Sequence, residues 1–575
     1  MHYFNSWMLF GFLLATGLLL GTHSHPSTAI PQLAEATDPP SYDHVLSNVW
    51  WIPPSVDVFR ENVRILVQAD VIVEGRLFMY NCTVHFASKL LSGSPSGFYV
   101  QLGGYLELTS SLFEQAPGTT FNYYFGVRDM ATAKIISSTI TQAYGGITFG
   151  GTFFEVHNSY LANMSVAVTA ASSGVMSGNV ISDVITGVML KDCRDVVLTD
   201  NTINSSGYST TLMHGSDVNM SQNSLQSTLG VMVEDVQDLF ISNNSFHSPL
   251  TALTLFDVTN FTLTKNNFSD SQKALLVTES ANGSVSNNSF HNHENQAMHL
   301  KQSHFVSFVS NDITGGSGSG ALITGSSNIF LSHNKFSDLI KGLVLQEGTA
   351  HSTIATNTFD RVGTAVLLQE FINLTMSWNI FSDATTAVNL TSGTELLLLS
   401  NTFSNTLTSL AATTGVTGRV ERNHFSLGDD DVVVRMSEAP DVNTSYVLEF
   451  RMNNIFGCTN FWSCFDFTDG RPVVVRNNYY ADVTTVDLNN DGFSEVSFGA
   501  DSQPLAYPAD HYIINDDGEV TLGSPYNPPI NSHRSNVVAQ PILGGIFLYF
   551  TFALSVISLV LVLALKPRKK VDQVK

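Results

Sequence analysis

Apolar and polar residues alternate in short runs along most of the chain. Apolar residues recur two positions apart, as in Leu239/Ile241, Leu253/Leu255 and Leu275/Val277. A period of two places both members of such a pair on the same side of a β-strand. The pattern therefore predicts a series of short strands, each with one buried face, separated by turns.

An asparagine-centred unit, N-x-[FIYL], repeats in phase with these strands. Neighbouring units lie 21 to 23 residues apart, and (423 − 158)/12 is about 22, the period of a β-solenoid coil. The apolar pair three and five residues before each asparagine marks the second strand of a coil, and the third strand begins about two residues after the asparagine. The pair nine and eleven residues after it marks the first strand of the next coil, which gives three strands per coil. We therefore predict an all-β protein, a three-sided parallel β-helix. The units begin at Asn158, Asn179, Asn201, Asn223, Asn244, Asn266, Asn288, Asn311, Asn334, Asn357, Asn379, Asn401 and Asn423.

The recurring asparagine has a physical explanation. Asn tolerates a left-handed backbone, and its amide can hydrogen-bond to the asparagine one coil away, at a spacing of about 4.8 Å. We therefore expect an internal asparagine ladder along the marked coils. Apolar side chains from all three strands are expected to fill the tube beside it.

Two long apolar segments predict the compartment. Residues 7–20 are followed by small residues, so residues 1–29 are predicted to be a signal peptide. Residues 542–565 carry no charge and could cross a hydrocarbon core of about 30 Å as a transmembrane helix. Four basic residues follow within residues 566–570, which places a tail of residues 566–575 in the cytoplasm. We predict a single-pass type I protein of the cell membrane, with most of the chain extracellular.

The remaining boundaries follow from the repeat. The predicted β-helix covers residues 71–480. An open solenoid would expose its core and its unpaired edges, so we predict an N-terminal cap at residues 30–70 and a C-terminal cap at residues 481–526. Residues 527–541 are polar and contain proline, which suggests a short stalk before the membrane.

Charge excludes one class of partner. The 575 residues include 49 acidic and 26 basic side chains, for a net charge of -23. That charge repels a phosphate backbone, and no basic patch stands out in the sequence, so a nucleic-acid partner is excluded. Only 13% of residues are charged, so Ser, Thr and Asn must supply the polar surface.

Stacked segments such as LFISNNSFHSPLTALTL, FTLTKNNFSDSQKALLV and IFLSHNKFSDLIKGLVL resemble the right-handed parallel β-helix, or pectate-lyase-like, superfamily. Within it the chain looks most like prokaryotic and archaeal cell-surface β-helix repeat proteins related to the periplasmic copper-maturation type. In that group an NYW-like segment often precedes an Asp-rich turn, much as Asn478-Tyr479-Tyr480 precedes residues 487–492 here. The resemblance implies a fold and no particular activity, because this fold carries many functions.

Glycosylation signals agree with an extracellular location. Twelve asparagines begin an N-x-[ST] triplet, and the repeat places those within the marked coils at outward positions. We therefore predict N-glycosylation of the extracellular part. The twelve are Asn81, Asn163, Asn204, Asn219, Asn243, Asn260, Asn267, Asn282, Asn287, Asn373, Asn389 and Asn443.

Enzymatic activity would belong to the outer face of the first strand, where the resemblance implies that a polysaccharide substrate would lie. A lyase, hydrolase or epimerase would need carboxylates with a base or a cation there. The repeat predicts an outer row with no such group, which argues against catalysis. Asp429 to Asp431 are the main alternative, with a solvated turn as the simpler interpretation. The predicted row is Thr254, Leu276, Val344, Leu367, Asn389, Ala411 and Val433.

Two groups of residues could bind metal. Asp487, Asn489 and Asp491 alternate oxygen ligands before a glycine, and Glu495 could complete the shell, which predicts a Ca²⁺ turn. An acidic turn without an ion is the alternative. A second group is rich in histidine and could bind a transition metal, although a metal-free surface cluster is favoured. It consists of His291, His293, Glu294, His299 and His304.

The four cysteines divide into two pairs. Cys458 and Cys464 are close in sequence and are predicted to form a disulfide outside the cell. Cys82 and Cys193 should lie about five coils, or roughly 24 Å, apart, too far to bridge. They are expected to be buried as small hydrophobic residues.

Three functions fit these features. The first is a non-catalytic surface rod that contacts glycans or other surface proteins, tethered at its C-terminal end. The second is a membrane-anchored polysaccharide lyase, hydrolase or epimerase. The third is a metal-handling protein built around the histidines. The apolar outer row, the glycosylation signals and the tether favour the first.

Overall fold

A computed structural model describes residues 41–483, with gaps at 91, 120, 129, 152, 414, 429–430, 438–447 and 468–472, and short segments between 494 and 522. The chain divides into two compact units, residues 1–510 and 511–575. Within the described part of the first unit, strands stack in parallel, each pairing with the equivalent strand one coil away. This unit is therefore the all-β parallel solenoid that the repeat predicts.

Each coil contributes a strand to three faces, which we call the first, second and third faces in the order used for the repeat. Six long strands bend around a corner and serve two faces: Tyr160–Ala170, Val180–Lys191, Tyr208–Ser221, Gly230–Ser242, Lys335–Gln346 and Thr358–Leu368. The other strands of the first face are Trp50–Ile52, Val71–Val73, Gly97–Val100, Tyr123–Val127, Ala143–Phe149, Thr251–Phe256, Lys273–Thr278, Gln296–Lys301, Ser319–Thr324, Thr386–Leu390, Thr408–Thr413, Val432–Ser437 and Phe465–Phe467.

The second face contains Asp57–Glu61, Arg76–Tyr80, Tyr105–Thr109, Thr132–Ile136, Phe153–His157, Ser173–Ser177, Arg194–Thr199, Thr259–Thr264, Ala281–Ser286, His304–Val309, Phe330–Ser332, Ala350–Ala355, Phe371–Ser377, Gly393–Leu399, Val416–Glu421, Leu448–Arg451 and Val473–Arg476. The third face contains His44–Leu46, Arg64–Val67, Thr83–Phe86, Leu112–Gln115, Thr139–Thr141, Thr202–Ser205, Ser224–Ser227, Ser245–His247, Asn267–Ser269, Ser289–His291, Asp312–Thr314, Ile380–Ser382, Thr402–Ser404, His424–Ser426, Asn454–Phe456 and Tyr479–Tyr480.

The parallel sheet begins before the predicted boundary at Val71. His44–Leu46 pairs with residues 65–67, and Trp50–Ile52 pairs with Val71–Val73. Residues predicted to cap the solenoid therefore already form coils of it. At the other end, the last described strand of the parallel sheet is Tyr479–Tyr480, which pairs with residues 454 and 455.

A ladder of hydrogen bonds runs through the interior along one corner. Each asparagine donates its backbone N–H and its Nδ2 to the Oδ1 of the next asparagine; for Asn334 and Asn357 both distances are 2.9 Å. Nδ2 also donates to a carbonyl oxygen of the preceding coil, as from Asn334 to Phe308. The ladder is therefore confirmed from Asn179 to Asn423, and it continues through Asn453 and Asn478.

Toward the N-terminus, smaller side chains take over the same position. The backbone N–H of Ser159 donates to Asn179 Oδ1 at 3.0 Å, and Ser138, Ser111 and Cys82 follow in sequence. The assignment of Asn158 to the ladder is therefore wrong by one residue. Its side chain is exposed, because here the buried apolar residue after the bend is Leu161 instead of Tyr160.

The left-handed backbone also lies one residue away from its expected position. Positive φ angles occur immediately before the ladder residue, as at Asn243, Lys265 and Trp378, and not at the ladder residue itself. These side chains point outward at the bend, so residue type is little restricted there. The ladder asparagine is selected by its buried hydrogen bonds instead of by its backbone conformation.

Apolar side chains fill the tube. Two residues after the ladder, phenylalanines stack at 4.6 to 5.1 Å between ring centroids, in two runs separated by Ile313. The runs are Phe246, Phe268 and Phe290, and then Phe336, Phe359, Phe381, Phe403 and Phe425. A column of small residues accommodates the rings: a Cβ added to Gly342 would lie 2.9 Å from the Phe359 ring.

The coil between Asn423 and Asn453 is enlarged, and the next coil, between Asn453 and Asn478, contains a helical turn, Phe461–Cys464. Cys458 and Cys464 form a disulfide with a Cα–Cα distance of 5.9 Å. Cys82 and Cys193 are free and buried. Their burial raises the pKa of both thiols.

The second unit contains an antiparallel hairpin, Tyr512–Ile514 with Val520–Leu522. Among the described residues, no helix is long and apolar enough to cross a membrane. The predicted signal peptide, stalk, transmembrane segment at residues 542–565 and cytoplasmic tail all lie outside those residues.

Candidate functional site

The outer row at the centre of the first face is the candidate site, and strand register defines its members. Pairing links Thr254 to Leu276, Leu276 to His299, and His299 to Leu322. The row then continues through Val344, Leu367, Asn389 and Ala411 to Arg435 and Asp466.

Two predictions for this row are wrong. Val433 is fully buried, and Arg435 takes the outward place beside Ala411. His299 belongs to the row although the repeat does not predict it there, so the row does contain a base. The cause is a longer bend between the third and first faces: the outward residue lies 10 positions after Asn266 but 11 after Asn288 and 12 after Asn423.

The apolar members of the row are less exposed than expected. Leu276, Leu322 and Leu367 are half-buried, and Val344 is buried. Each is flanked by the equivalent side chain about 4.8 Å above and below, which removes much of its surface from water. The row is therefore not a fully exposed apolar stripe, and it needs no covering loop to account for its composition.

Basic side chains gather around His299, and we call Lys273, His299, Lys301 and Lys341 the basic cluster. Lys273 pairs in register with Gln296, and Lys301 lies two residues after His299 on the same strand. Lys301 and Lys341 are exposed, and in the described part of the chain none of the three lysines forms an ion pair. Their ammonium groups are therefore free to meet a ligand.

The pKa of His299 reports the local electrostatics. It is lowered to about 4, first by burial and then by the positive charges of Lys273 and Lys301. His299 is therefore neutral at physiological pH. Its Nε2 lies 3.4 Å from Thr324 Oγ1, and its Nδ1 has no protein partner. The neutral imidazole adds no charge to that of the two lysines, and its unpaired Nδ1 is shielded from solvent, so the lysines are the groups that can meet a ligand.

The first face is poor in acids. Among its described outward residues between Lys191 and Ala411 the one carboxylate is Glu234, three coils or roughly 14 Å from His299. That separation is too large for the two to act on one glycosidic bond. The described face therefore assembles no acid and base pair around His299.

An acidic corner borders this face, and the sequence pattern does not predict it. Asp192, His214, Asp235 and Asp257 follow one another along the corner, with Asp195, Asp217 and Asp238 beside them. All seven have positive φ, which aspartate tolerates better than most residues. His214 Nδ1 lies 2.9 Å from Asp235 Oδ2, at a shallow depression also lined by Arg194. The column continues through Glu279, is interrupted near His299 at Gln302 and Gly325, and resumes at Glu347.

The histidine cluster does not form one site. His291 lies on the third face, His293 is buried in the interior, His299 is on the first face, and His304 begins a strand of the second face. In the described ranges, no group of three or more His, Cys, Asp or Glu side chains could hold a metal ion.

The other predicted sites lie largely outside the described residues. These include the calcium turn of Asp487, Asn489, Asp491 and Glu495, together with Asp429 and Asp430. Asp431 is described, and its Oδ2 accepts the N–H of Gly428 at 2.7 Å, which makes it part of a turn.

Most glycosylation signals are accessible. Nine of the twelve acceptor asparagines are exposed: Asn81, Asn163, Asn204, Asn243, Asn260, Asn267, Asn282, Asn287 and Asn373. Asn219 and Asn389 are half-buried, and Asn443 lies outside the described residues. The exposed acceptors occupy the second and third faces and the corners. On the described first face, the acceptor is Asn389 alone.

Family comparisons agree with this architecture. The family described as "Right handed beta helix region" matches residues 74–229 and 229–349, and "Periplasmic copper-binding protein (NosD)" matches residues 296–446. The described part of the latter range offers no cluster of metal ligands, so its residues do not fit a copper site. No curated protein matches the sequence.

Several solved structures are similar at low identity. The periplasmic alginate epimerase AlgG is 11% identical over 55% of this chain and 77% of its own, with a TM-score of 0.27. The mannuronan C-5 epimerase AlgE6 A-module of Azotobacter vinelandii is 12% identical over 60% and 91%, with a TM-score of 0.30. DFA-IIIase from Arthrobacter chlorophenolicus A6 is 12% identical over 65% and 90%, with a TM-score of 0.25.

Two observations identify the fold. They are the stacked parallel strands with their internal ladder, and the two family matches. The described chain folds as a right-handed parallel β-helix, and residues 74–349 match the family described as "Right handed beta helix region".

Proposed function

We propose that the protein is a non-catalytic, extracellular β-helix that binds an anionic glycan on its first face and is held at the cell membrane by residues 542–565. The observation that carries this proposal is the basic cluster on a chain whose net charge is -23. Of the six lysines between residues 180 and 400, four lie on the first face: Lys191, Lys273, Lys301 and Lys341.

The chemistry of the cluster suits a carboxylated polysaccharide. Free ammonium groups attract anions and can donate hydrogen bonds to sugar hydroxyls. Coils are spaced about 4.8 Å apart, so the lysines of the basic cluster are spread over three coil steps, or roughly 14 Å, along the face, which suits an extended polymer. The acidic corner would repel the same ligand, so contact is centred on the coils of His299 and Leu322, where the corner carries Gln302 and Gly325.

The distribution of glycosylation signals supports the same face. Glycans on the second and third faces and at the corners would cover those surfaces and leave the first face open. The scarcity of carboxylates there argues for binding without bond cleavage.

The test uses the full chain in detergent micelles and long-chain polygalacturonate as the probe, with neutral dextran as the reference. Lys273→Glu combined with Lys301→Glu should weaken polygalacturonate binding at least tenfold, measured by calorimetry. Binding by the unchanged chain should fall with added salt, because the attraction is electrostatic.

A matched control is available on other surfaces. Lys265→Glu combined with Lys335→Glu makes the same change in net charge at the bend before Asn266 and on the third face. This control should bind nearly as well as the unchanged chain. Equal loss in both double variants would show that net charge alone controls binding, and would refute a site on the first face.

A further inference from the structure

The first face carries a local irregularity toward its N-terminal end. Between Tyr123 and Phe125 the neighbouring strand contains extra residues, because Tyr123 pairs with Ala143 whereas Phe125 pairs with Ile147. This β-bulge is built on Gly145 and Gly146, with φ angles of 70° and 81°. A Cβ on Gly146 would lie 1.6 Å from the Val166 carbonyl oxygen, so glycine is required there.

The bulge directs Tyr144 out of the sheet. Its side chain is 61% exposed, and it meets Tyr124, which is 38% exposed, with ring centroids 5.2 Å apart at an interplanar angle of 68°. Bulges commonly redirect a side chain at a functional site. The coil repeat does not require this pair, since the residue that pairs with Tyr124 in the preceding coil is Gly97.

A cation lies on the same surface. The Arg128 guanidinium packs over the Tyr99 ring at 5.7 Å from its centroid, and it crosses Gly126, where a Cβ would come within 3.3 Å of Nε. In the described part of the chain Arg128 forms no ion pair. The nearby Lys89 ammonium is instead neutralised by Asp70 at 2.8 Å. Arg128 therefore retains its charge for a ligand.

We propose that Tyr124, Tyr144 and Arg128 form a subsite for one uronic acid residue of a glycan. The apolar face of the sugar ring stacks on Tyr144 and Tyr124, and its carboxylate pairs with the Arg128 guanidinium. An aromatic ring offers a rigid apolar surface with a polar tip, and the guanidinium fork matches the geometry of a carboxylate. The proposal rests on the proposed function, since it deepens glycan contact on the first face.

The subsite lies far from the basic cluster. Register links Gly126 to His299 through eight coil steps, or roughly 38 Å. A short oligosaccharide cannot reach both, whereas a long chain can engage them together and gain affinity through multivalency. Short and long probes therefore separate the two sites.

The experiment measures binding of trigalacturonate to the full chain by calorimetry, in a background that carries Lys273→Glu and Lys301→Glu. That background removes the basic cluster and isolates the aromatic subsite. In it, Tyr144→Ala and Arg128→Gln should each weaken trigalacturonate binding about five- to tenfold. Tyr160→Ala is the control, because Tyr160 is also an exposed tyrosine but lies on the third face.

The outcomes distinguish the two proposals. If Tyr144→Ala and Arg128→Gln leave trigalacturonate binding unchanged while the lysine changes abolish polygalacturonate binding, the subsite is refuted and the proposed function stands. If Tyr144→Ala and Arg128→Gln weaken trigalacturonate binding while the lysine changes leave polygalacturonate binding unchanged, the basic cluster is refuted and the subsite stands. Equal binding of trigalacturonate and neutral maltotriose would refute the pairing of a carboxylate with Arg128. Failure to bind either oligosaccharide would refute the subsite altogether.

Discussion

Asp501 closes the internal ladder by accepting both donors of Asn478. Its Oδ2 lies 2.9 Å from the backbone nitrogen of Asn478 and 3.2 Å from Nδ2. Every ladder residue donates toward the C-terminus, so the last one needs an acceptor that no further asparagine supplies. The backbone N–H groups of Asn477 and Gln503 also donate to Asp501. A buried carboxylate thus satisfies the open end of the ladder, much as a capping residue satisfies a helix end.

Asp501→Asn tests this cap. The amide retains one acceptor oxygen and loses the other, so at least one buried donor is left unpaired, at a cost of about 1–3 kcal/mol. We expect faster hydrogen exchange for amides of residues 448–480 and unchanged exchange near the middle of the ladder. Asp257→Asn, at an exposed position, is the control. If hydrogen exchange at residues 448–480 is as slow in Asp501→Asn as in the Asp257→Asn control, the Asp501 carboxylate is not needed to satisfy the end of the ladder.

Substitutions of Asn334 should destabilise the β-helix in a graded way. Asn334→Leu removes the acceptor of two donors, the backbone N–H and Nδ2 of Asn311, at a cost of about 1–3 kcal/mol for each buried group left unpaired. Asn334→Ser should cost less, because serine already holds the ladder position at Ser111, Ser138 and Ser159. Denaturant unfolding measures both. If Asn334→Leu and Asn334→Ser lower the free energy of unfolding equally, hydrogen bonding does not explain why asparagine occupies this position.

Acid should destabilise the region around His293. This side chain is 3% exposed, neither ring nitrogen has a hydrogen-bond partner, and burial lowers its pKa to about 4. Because the folded pKa is lower than the unfolded value of about 6.5, the folded state binds the proton less well. The stabilisation present above pH 6.5 is therefore lost as the pH falls toward 4, by about 2–3 kcal/mol.

His293→Leu should remove most of this dependence. Leu339 occupies the equivalent buried corner position two coils further on, so leucine is compatible with the fold. His291, which also influences the pKa of His293 through its charge, provides the control variant His291→Gln. Melting temperatures at pH 7 and pH 5 give the comparison. An equal shift between the two pH values in the unchanged chain and in His293→Leu would contradict the prediction.

Glycan occupancy should follow exposure. The nine exposed acceptor asparagines are predicted to carry N-glycans when the protein is secreted through a glycosylating pathway. Asn219 and Asn389 should be occupied much less, because both are half-buried and the Asn219 Oδ1 is shielded from solvent. Peptide mapping by mass spectrometry measures occupancy at each site. Full occupancy at Asn219 would contradict the assigned strand register on the second face.

The sequence by itself determined the architecture. A period of about 22 residues, a period of two within each strand, and an asparagine in phase with both are enough to specify three strands per coil and an internal ladder. These features are local and repeated, so an error in one coil does not alter the others. The predicted ladder is accordingly confirmed from Asn179 to Asn423, though not at Asn158, and the apolar filling of the tube is confirmed.

Tertiary structure alone decided where the repeat departs from its period. One extra residue at a bend moved His299 into the outer row, and two extra residues replaced Val433 with Arg435. Such shifts depend on which bend of the coil contains the added residue. Hydrogen-bonded pairing between strands of adjacent coils determines that bend. Replacement of asparagine by Ser159 and closure of the ladder by Asp501 depend in the same way on a hydrogen bond between neighbouring coils, which no single repeat unit encodes.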